Sequence, residues 1–278
     1  MYVIFMFVLT VLPEQCVCFA RQAMQIWARN VVPSLFPYMV MCRLLSNELK
    51  RMNVPVKLSV TVLGLFGGSP AGASVLAGYD GQMTKKELHS LCALTGTISP
   101  MFFLSTVTDW AKDLRLGILL LTSNIFGAVI SSVFINVFHG RNRDQRRIER
   151  LLRVSSESDP LHQSITAILI VGGNIVLFSV MAGYLSFIPL LSPCVHAVLH
   201  AMLETAGGVY VLSQIPMPFE HRAVLMAFTS GFGGLSILFQ NLSFLKTYGI
   251  RLKHLLVYGM IRACTGALIM FGLIWVIS

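Results

Sequence analysis

Five stretches of the chain run without a single Lys, Arg, Asp or Glu: 58–79, 88–108, 116–140, 160–203 and 223–245. Most of them reach the roughly 20 residues that a helix needs to cross the hydrocarbon core of a bilayer. The charges are gathered into short blocks between them, and no stretch is left over for a separate soluble domain. The pattern predicts an all-α, multi-pass membrane protein. The opening "MYVIFMFVLTVL" lacks a basic n-region and reads as part of a short first helix, residues 1–19, rather than as a cleaved signal peptide.

One apolar run is broken in its middle by "FGGSPAGASVLAGYDG" (66–81), a cluster of helix breakers. The Lys/Arg distribution bears on what that cluster is. If every apolar run crosses, Lys50, Arg51, Lys57, Lys112, Arg115, Lys246, Arg251 and Lys253 fall on one side. Lys85, Lys86, Arg141, Arg143, Arg146, Arg147, Arg150, Arg153 and Arg222 fall on the other, eight against nine. If 57–82 and roughly 193–217 are instead hairpins that enter and return, only Lys112, Arg115 and Arg222 remain on the second side, and the count becomes fourteen against three. Cytoplasmic loops are enriched in Lys/Arg, so the hairpin arrangement is favoured and puts "HGRNRDQRRIERLLR" (139–153) in the cytoplasm. A chain that turns inside the membrane exposes backbone polar groups there, tolerated only against protein or a polar cavity, and small residues with a Pro suit such a turn.

The two halves of the chain resemble each other. "GSPAG" (68–72) matches "ETAGG" (204–208) at an offset of 136, and "TGTISPMFFLSTV" (95–107) stands opposite "SGFGGLSILFQNL" (230–242) at 135. "NVVPSLF" (30–36) corresponds to "NIVLFSV" (174–180), and the downstream helices align through Gly127 and Gly266. Each half is then helix, re-entrant hairpin, broken helix, helix, with three crossings. An odd number of crossings sets two such repeats in opposite orientations, the architecture of secondary transporters. The expected organisation is an N-terminal helix (1–19), a first repeat (20–138), a basic linker (139–163) and a second repeat (164–278).

Composition agrees: 55% of residues are hydrophobic, 12% charged, and mean hydropathy is +0.73. The net charge of +9 comes from basic residues flanking apolar segments, where they act as topology signals, so nucleic acid is not an expected partner. The six cysteines (16, 18, 42, 92, 194, 264) have neither paired spacing nor a CxxC, and predict no disulfide framework or zinc knuckle. No Walker loop, dinucleotide fingerprint or recognisable Ser/His/Asp order is present, "GFGGLS" (231–236) included; no enzyme activity, cofactor or metal is expected.

Two charges lie inside apolar runs, Glu204 and Arg262. An isolated charge in the membrane costs at least a few kcal/mol, so each should face a cavity or a partner. Glu204 is either a proton- or substrate-coupling group at a site, the favoured reading, or a structural partner of Arg262. His196, His200 and Glu204 are spaced i, i+4, i+8, which on one continuous helix would align two imidazoles and a carboxylate for a metal or a proton relay. Polar lining of a helix face is the favoured reading of that stripe.

"GGSPAGASVLAGYDGQMTKKELHSLCALTGTISPMFFLSTV" (67–107) resembles the Gly-Tyr-Pro-x-Gly-Ala motif and following helix of the nucleoside-recognition, or Gate, membrane proteins, especially the YlbJ/SpoVV-type sporulation integral membrane proteins. "ARNVVPSLFPYMV" (28–40), "LETAGGVYVLS" (203–213) and "FGGLSILFQNLSFL" (232–245) are similar to other signatures of that family, which in turn looks like the core of concentrative nucleoside transporters. The resemblance implies a binding site made by two hairpin tips and two unwound helices. It puts Gly68, Ser69, Pro70 and Gly72 on the first tip, Glu204 and Thr205 on the second, Thr97 and Ser99 on the first interrupted helix, and Ser236 and Gln240 on the second. Where nucleoside transporters carry an acid at the first tip this chain has "SPAG", and the usual Asn-containing stretch is "GTISP". Loss of that acceptor argues against ribose and fits an anion met by half-helix N-termini and hydroxyls. The resemblance further implies dipicolinate crossing the outer forespore membrane during sporulation. Expected partners are thus a small anionic substrate and the lipid bilayer, with a homo-oligomer left open. The rival expectations are a non-transporting sporulation membrane protein needed for spore envelope or cortex assembly, a nucleoside transporter-like protein, and a metalloenzyme on the histidine stripe.

Overall fold

A computed structural model describes residues 12–79, 83–139, 159–188 and 192–277. Residues 1–11 of the expected first helix, Asp80 and Gly81 of the interrupted run, and 140–158 of the basic linker lie outside the described residues. The described residues form helices and no strands: α1 (Pro13–Ile26), α2 (Val32–Arg51), α3 (Val56–Gly67), α4 (Ala71–Ala77), α5 (Lys85–Thr95), α6 (Thr108–Ala111), α7 (Leu114–His139), α8 (Pro160–Gly183), α9 (Pro193–Leu203), α10 (Thr205–Gln214), α11 (Phe219–Phe232), α12 (Gly234–Leu245) and α13 (Leu252–Ile277). Among the described residues, four segments are long and apolar enough to cross a membrane: Leu114–Phe138, Pro160–Phe187, Phe219–Tyr248 and Leu252–Ile277. The outer faces of α7 and α13 carry exposed Val133, Phe134, Phe138, Leu268, Phe271 and Trp275, an apolar surface suited to lipid.

The boundary expected at residue 19/20 falls inside α1. That helix continues into α2 through a π-helical turn, Trp27–Val31, in which the Val32 N–H bonds back five residues to Trp27 O. Pro33 has no N–H, and in a regular helix its ring would strike the carbonyl of Arg29; one extra residue in the turn absorbs the conflict. α1 is held on α8 by close fits, since a Cβ at Gly172 would lie 2.7 Å from the Trp27 ring and one at Gly183 2.5 Å from Phe19.

From α2 onward the order of elements repeats. A long helix (α2; α8) leads to a helix–turn–helix pair (α3–α4; α9–α10), an interrupted helix (α5 with its continuation from Pro100; α11–α12) and a second long helix (α7; α13). Glycines let the pairs close. A Cβ at Gly72 would stand 3.0 Å from Gly64 Cα, and one at Gly208 would overlap the Ala201 backbone. The halves interleave rather than stand apart. Val60, Leu63 and Leu76 of the first pair pack with Leu238 of α12 and Tyr258 of α13, while Ala201 and Val209 of the second pair pack with Phe103, Leu120 and Met226.

α5 begins at a capping box, the Glu87 N–H donating to Thr84 Oγ1 (3.3 Å) and the Thr84 N–H to Glu87 Oε2 (2.8 Å). Lys57 of α3 pairs with the same Glu87 at 2.9 Å, tying the first pair to the start of the interrupted helix. Loss of such a cap costs about 1 kcal/mol, so Thr84→Ala should lower the melting temperature by about 3 °C, read by fluorescence-detected size exclusion after heating.

Candidate functional site

The two turns and the two helix breaks meet. At the first turn the chain leaves α3 through Gly68 with φ 62° and ψ −169°, a conformation open to glycine alone. Gly68 lies against the first break, where Ser69 N–H donates to Thr97 O (2.6 Å) and Ser69 Oγ–H to Thr95 O (3.4 Å). At the second break, Gly233 and Gly234 both take positive φ, 84° and 61°. A Cβ on Gly234 would stand 2.5 Å from Thr205 Oγ1 of the second turn. Each turn therefore presses on the break of its own half. Asn241 of α12 joins the halves by donating from Nδ2 to Ser69 Oγ at 3.0 Å.

Between these elements lies a cavity of about 60 Å³, bordered by Ser69, Ser99, Glu204, Thr205, Ser236 and Gln240, by Ser34, and by apolar Leu35, Ile98, Phe102, Val171, Ile175 and Ile237. Thr205 Oγ1 and Ser236 Oγ are buried there without a hydrogen-bond partner among the described residues. Such groups are costly unless something polar meets them. Of the ten residues singled out in the sequence, six line this cavity. Thr97 stands behind it, supplying the carbonyl that holds Ser69. Pro70 starts α4, and Gly68 and Gly72 serve close packing.

Backbone N–H groups expected to face an anion at the two turns are already engaged, unlike the Thr205 and Ser236 hydroxyls. α4 has only seven residues, and the Ser69 N–H in front of it is turned to Thr97 O. At the second turn, Glu204 leaves the helical conformation (φ −133°, ψ 114°) and caps α10 with its own carboxylate. Oε1 accepts from Ala206 N–H at 2.9 Å and Oε2 from Gly207 N–H at 2.6 Å, and Ser179 of α8 adds its hydroxyl. The place where a helix N-terminus would hold an anion is filled by a carboxylate of the chain itself.

This geometry also overturns the pairing of Glu204 with Arg262. Glu204 is satisfied by backbone N–H groups and Ser179, whereas Arg262 Nη1 donates to Ala93 O (3.1 Å) and Nε to Gly231 O (3.2 Å). The histidine stripe fails as a metal site for a related reason. α9 ends at Leu203 and Glu204 is no longer helical, so the i, i+4, i+8 register is broken after His200, and no group of three metal-ligating side chains is present among the described residues.

His196 and His200 border a second, larger cavity of about 580 Å³, together with Arg29, Asn30, Trp110 and Tyr210. Its wall includes Gly207 and Ser179, the groups that hold Glu204 from behind, so Glu204 separates the two cavities. Asn241, Ser34 and Ser179 were not singled out in the sequence. Asn241 stands beside Gln240 inside an apolar run, a signal that could have marked it; single serines in apolar helices carry none.

No family model and no solved structure matches the chain. The chain is similar to the sporulation integral membrane protein YlbJ of Bacillus subtilis (strain 168), with 23% identity over 313 aligned positions that cover 92% of this chain and 76% of that protein.

Proposed function

We propose that the chain is a membrane transporter of a small carboxylate-bearing metabolite, built from two repeats of opposite orientation whose helix–turn–helix pairs re-enter the membrane. The observation that carries the reading is the convergence of both turns and both breaks on one cavity lined by hydroxyls, an amide and a carboxylate. The recurring order of elements supports it, since a unit of three crossings inverts its successor. The Glu204 cradle supports the anion: two backbone N–H groups and a hydroxyl already hold one carboxylate there. A substrate carboxylate would compete for that cradle, and a proton taken up by Glu204 would release it. Dipicolinate, moved unchanged across the outer forespore membrane, is the substrate that the resemblance to YlbJ/SpoVV-type proteins implies.

The test is uptake of labelled dipicolinate into proteoliposomes. Each hydrogen bond to a charged ligand is worth about 1.5–3 kcal/mol, so Ser236→Ala combined with Thr205→Val should reduce saturable uptake more than tenfold at low substrate concentration. Absence of saturable flux for dipicolinate, other small acids and nucleosides would sink the transport reading. One observation favours a second reading, a sporulation membrane protein that moves nothing. The cavity holds only a few water molecules at about 10–15 Å³ each, so transport requires the turns to part.

A further inference from the structure

Arg262 is 3% exposed, and it makes none of the three ion pairs found among the described residues. Its two bonded acceptors, Ala93 O and Gly231 O, share one property: each belongs to the last four carbonyls of a helix that stops at a break, α5 at Thr95 and α11 at Phe232. Those carbonyls have no partner within their own helix, and each helix end carries about half a negative elementary charge. Two ends amount to about one, which one guanidinium balances. The surroundings are shaped for it. A Cβ on Gly96, in the first break, would lie 2.5 Å from Nη1 and 2.9 Å from Cζ, and one on Gly231 would lie 2.9 Å from Arg262 O. The acceptors are 169 and 31 residues away in sequence, one in each half of the chain.

In transporters built from broken helices, such C-terminal ends and unwound carbonyls are where a coupling cation binds. We propose that Arg262 is a tethered cation in that role. It joins the C-terminal ends of α5 and α11, the first halves of the two interrupted helices, and assembles the central site without a bound alkali-metal ion. The consequence for coupling, that flux needs no sodium, rests on the transport reading; the assembly role does not.

The experiment measures melting of the purified full chain in detergent, with no substrate present. The parent should melt at the same temperature in sodium, potassium and choline chloride of equal ionic strength. Arg262→Ala should melt roughly 10 °C lower, in line with removal of a buried, hydrogen-bonded charge. Low-millimolar guanidinium should restore part of that loss in Arg262→Ala and leave the parent unchanged, whereas urea, its uncharged isostere, should restore nothing. Arg262→Lys keeps the charge without the fork and should lie between the parent and Arg262→Met, which has similar length and no charge. A folded Lys variant beside an unfolded Met variant supports the proposal. A parent stabilised by sodium over choline overturns it, as does an Arg262→Met protein as stable as Arg262→Lys, or equal rescue by urea. If no variant folds, the parent's response to sodium decides alone. Because flux is never measured, a chain that moves no solute leaves this result standing, and a failure here leaves the uptake assay interpretable.

Discussion

Gly68→Ala is expected to melt roughly 10 °C below the parent, and for a reason that no rearrangement of side chains relieves. At φ 62° and ψ −169° the backbone of Gly68 lies where a Cβ is strained, at a cost of about 1–3 kcal/mol. The added carbon would also sit 2.7 Å from Ser99 Cα and 2.8 Å from Ile98 C, which are backbone atoms. Overpacking of that kind adds about another 1–3 kcal/mol. At about 2–4 °C per kcal/mol for a chain near this size, the sum gives the stated shift. Gly173→Ala is the matching control, because a Cβ there meets nothing within 4 Å and lies in the middle of α8. It should melt at or slightly above the parent. Equal melting of both variants would mean that the first turn does not press on the first break.

The contact between Gly68 and Ser99 also shows why part of the molecule is readable from sequence. Gly68 and Pro70 interrupt an apolar run, as do Gly96 in one break and Gly233 and Gly234 in the other. Backbone irregularity inside such a run needs residues without a Cβ or without an N–H, so turns and breaks leave local marks. The recurrence of those marks at a nearly constant offset carries the element order as well. Other features leave no such mark. Arg262 finds its partners through two carbonyls, which any residue type supplies, at separations that no local spacing encodes. Glu204 was visible as a charge in an apolar run, but the groups that hold it were not, because backbone N–H groups are as silent in sequence as carbonyls are. The π turn at Trp27–Val31 arises from the position of Pro33 relative to a helix that the sequence pattern had ended at residue 19.

Glu204→Gln separates helix capping from coupling. The carboxylate accepts from Ala206 N–H, Gly207 N–H and Ser179; a carboxamide of the same size offers one acceptor oxygen and sets its NH2 against a donor. A donor left unmatched in a buried place costs about 1–3 kcal/mol, so the variant should melt about 5 °C lower and still fold. The imidazoles of His196 and His200 remain in both proteins. Those rings lie 6.1 Å apart, and His200 Nε2 and Glu204 Oε2 stand 3.1 Å and 3.0 Å from the place of a Cβ on Gly207. If Glu204 exchanges a proton as the substrate enters, parent uptake of dipicolinate should respond to an imposed proton gradient, and Glu204→Gln uptake should be low and indifferent to it. If the carboxylate only caps α10, uptake per folded molecule should match the parent at every gradient once the lower melting temperature is allowed for. The two outcomes differ in flux while sharing the same stability loss, so melting alone cannot mimic the coupling result.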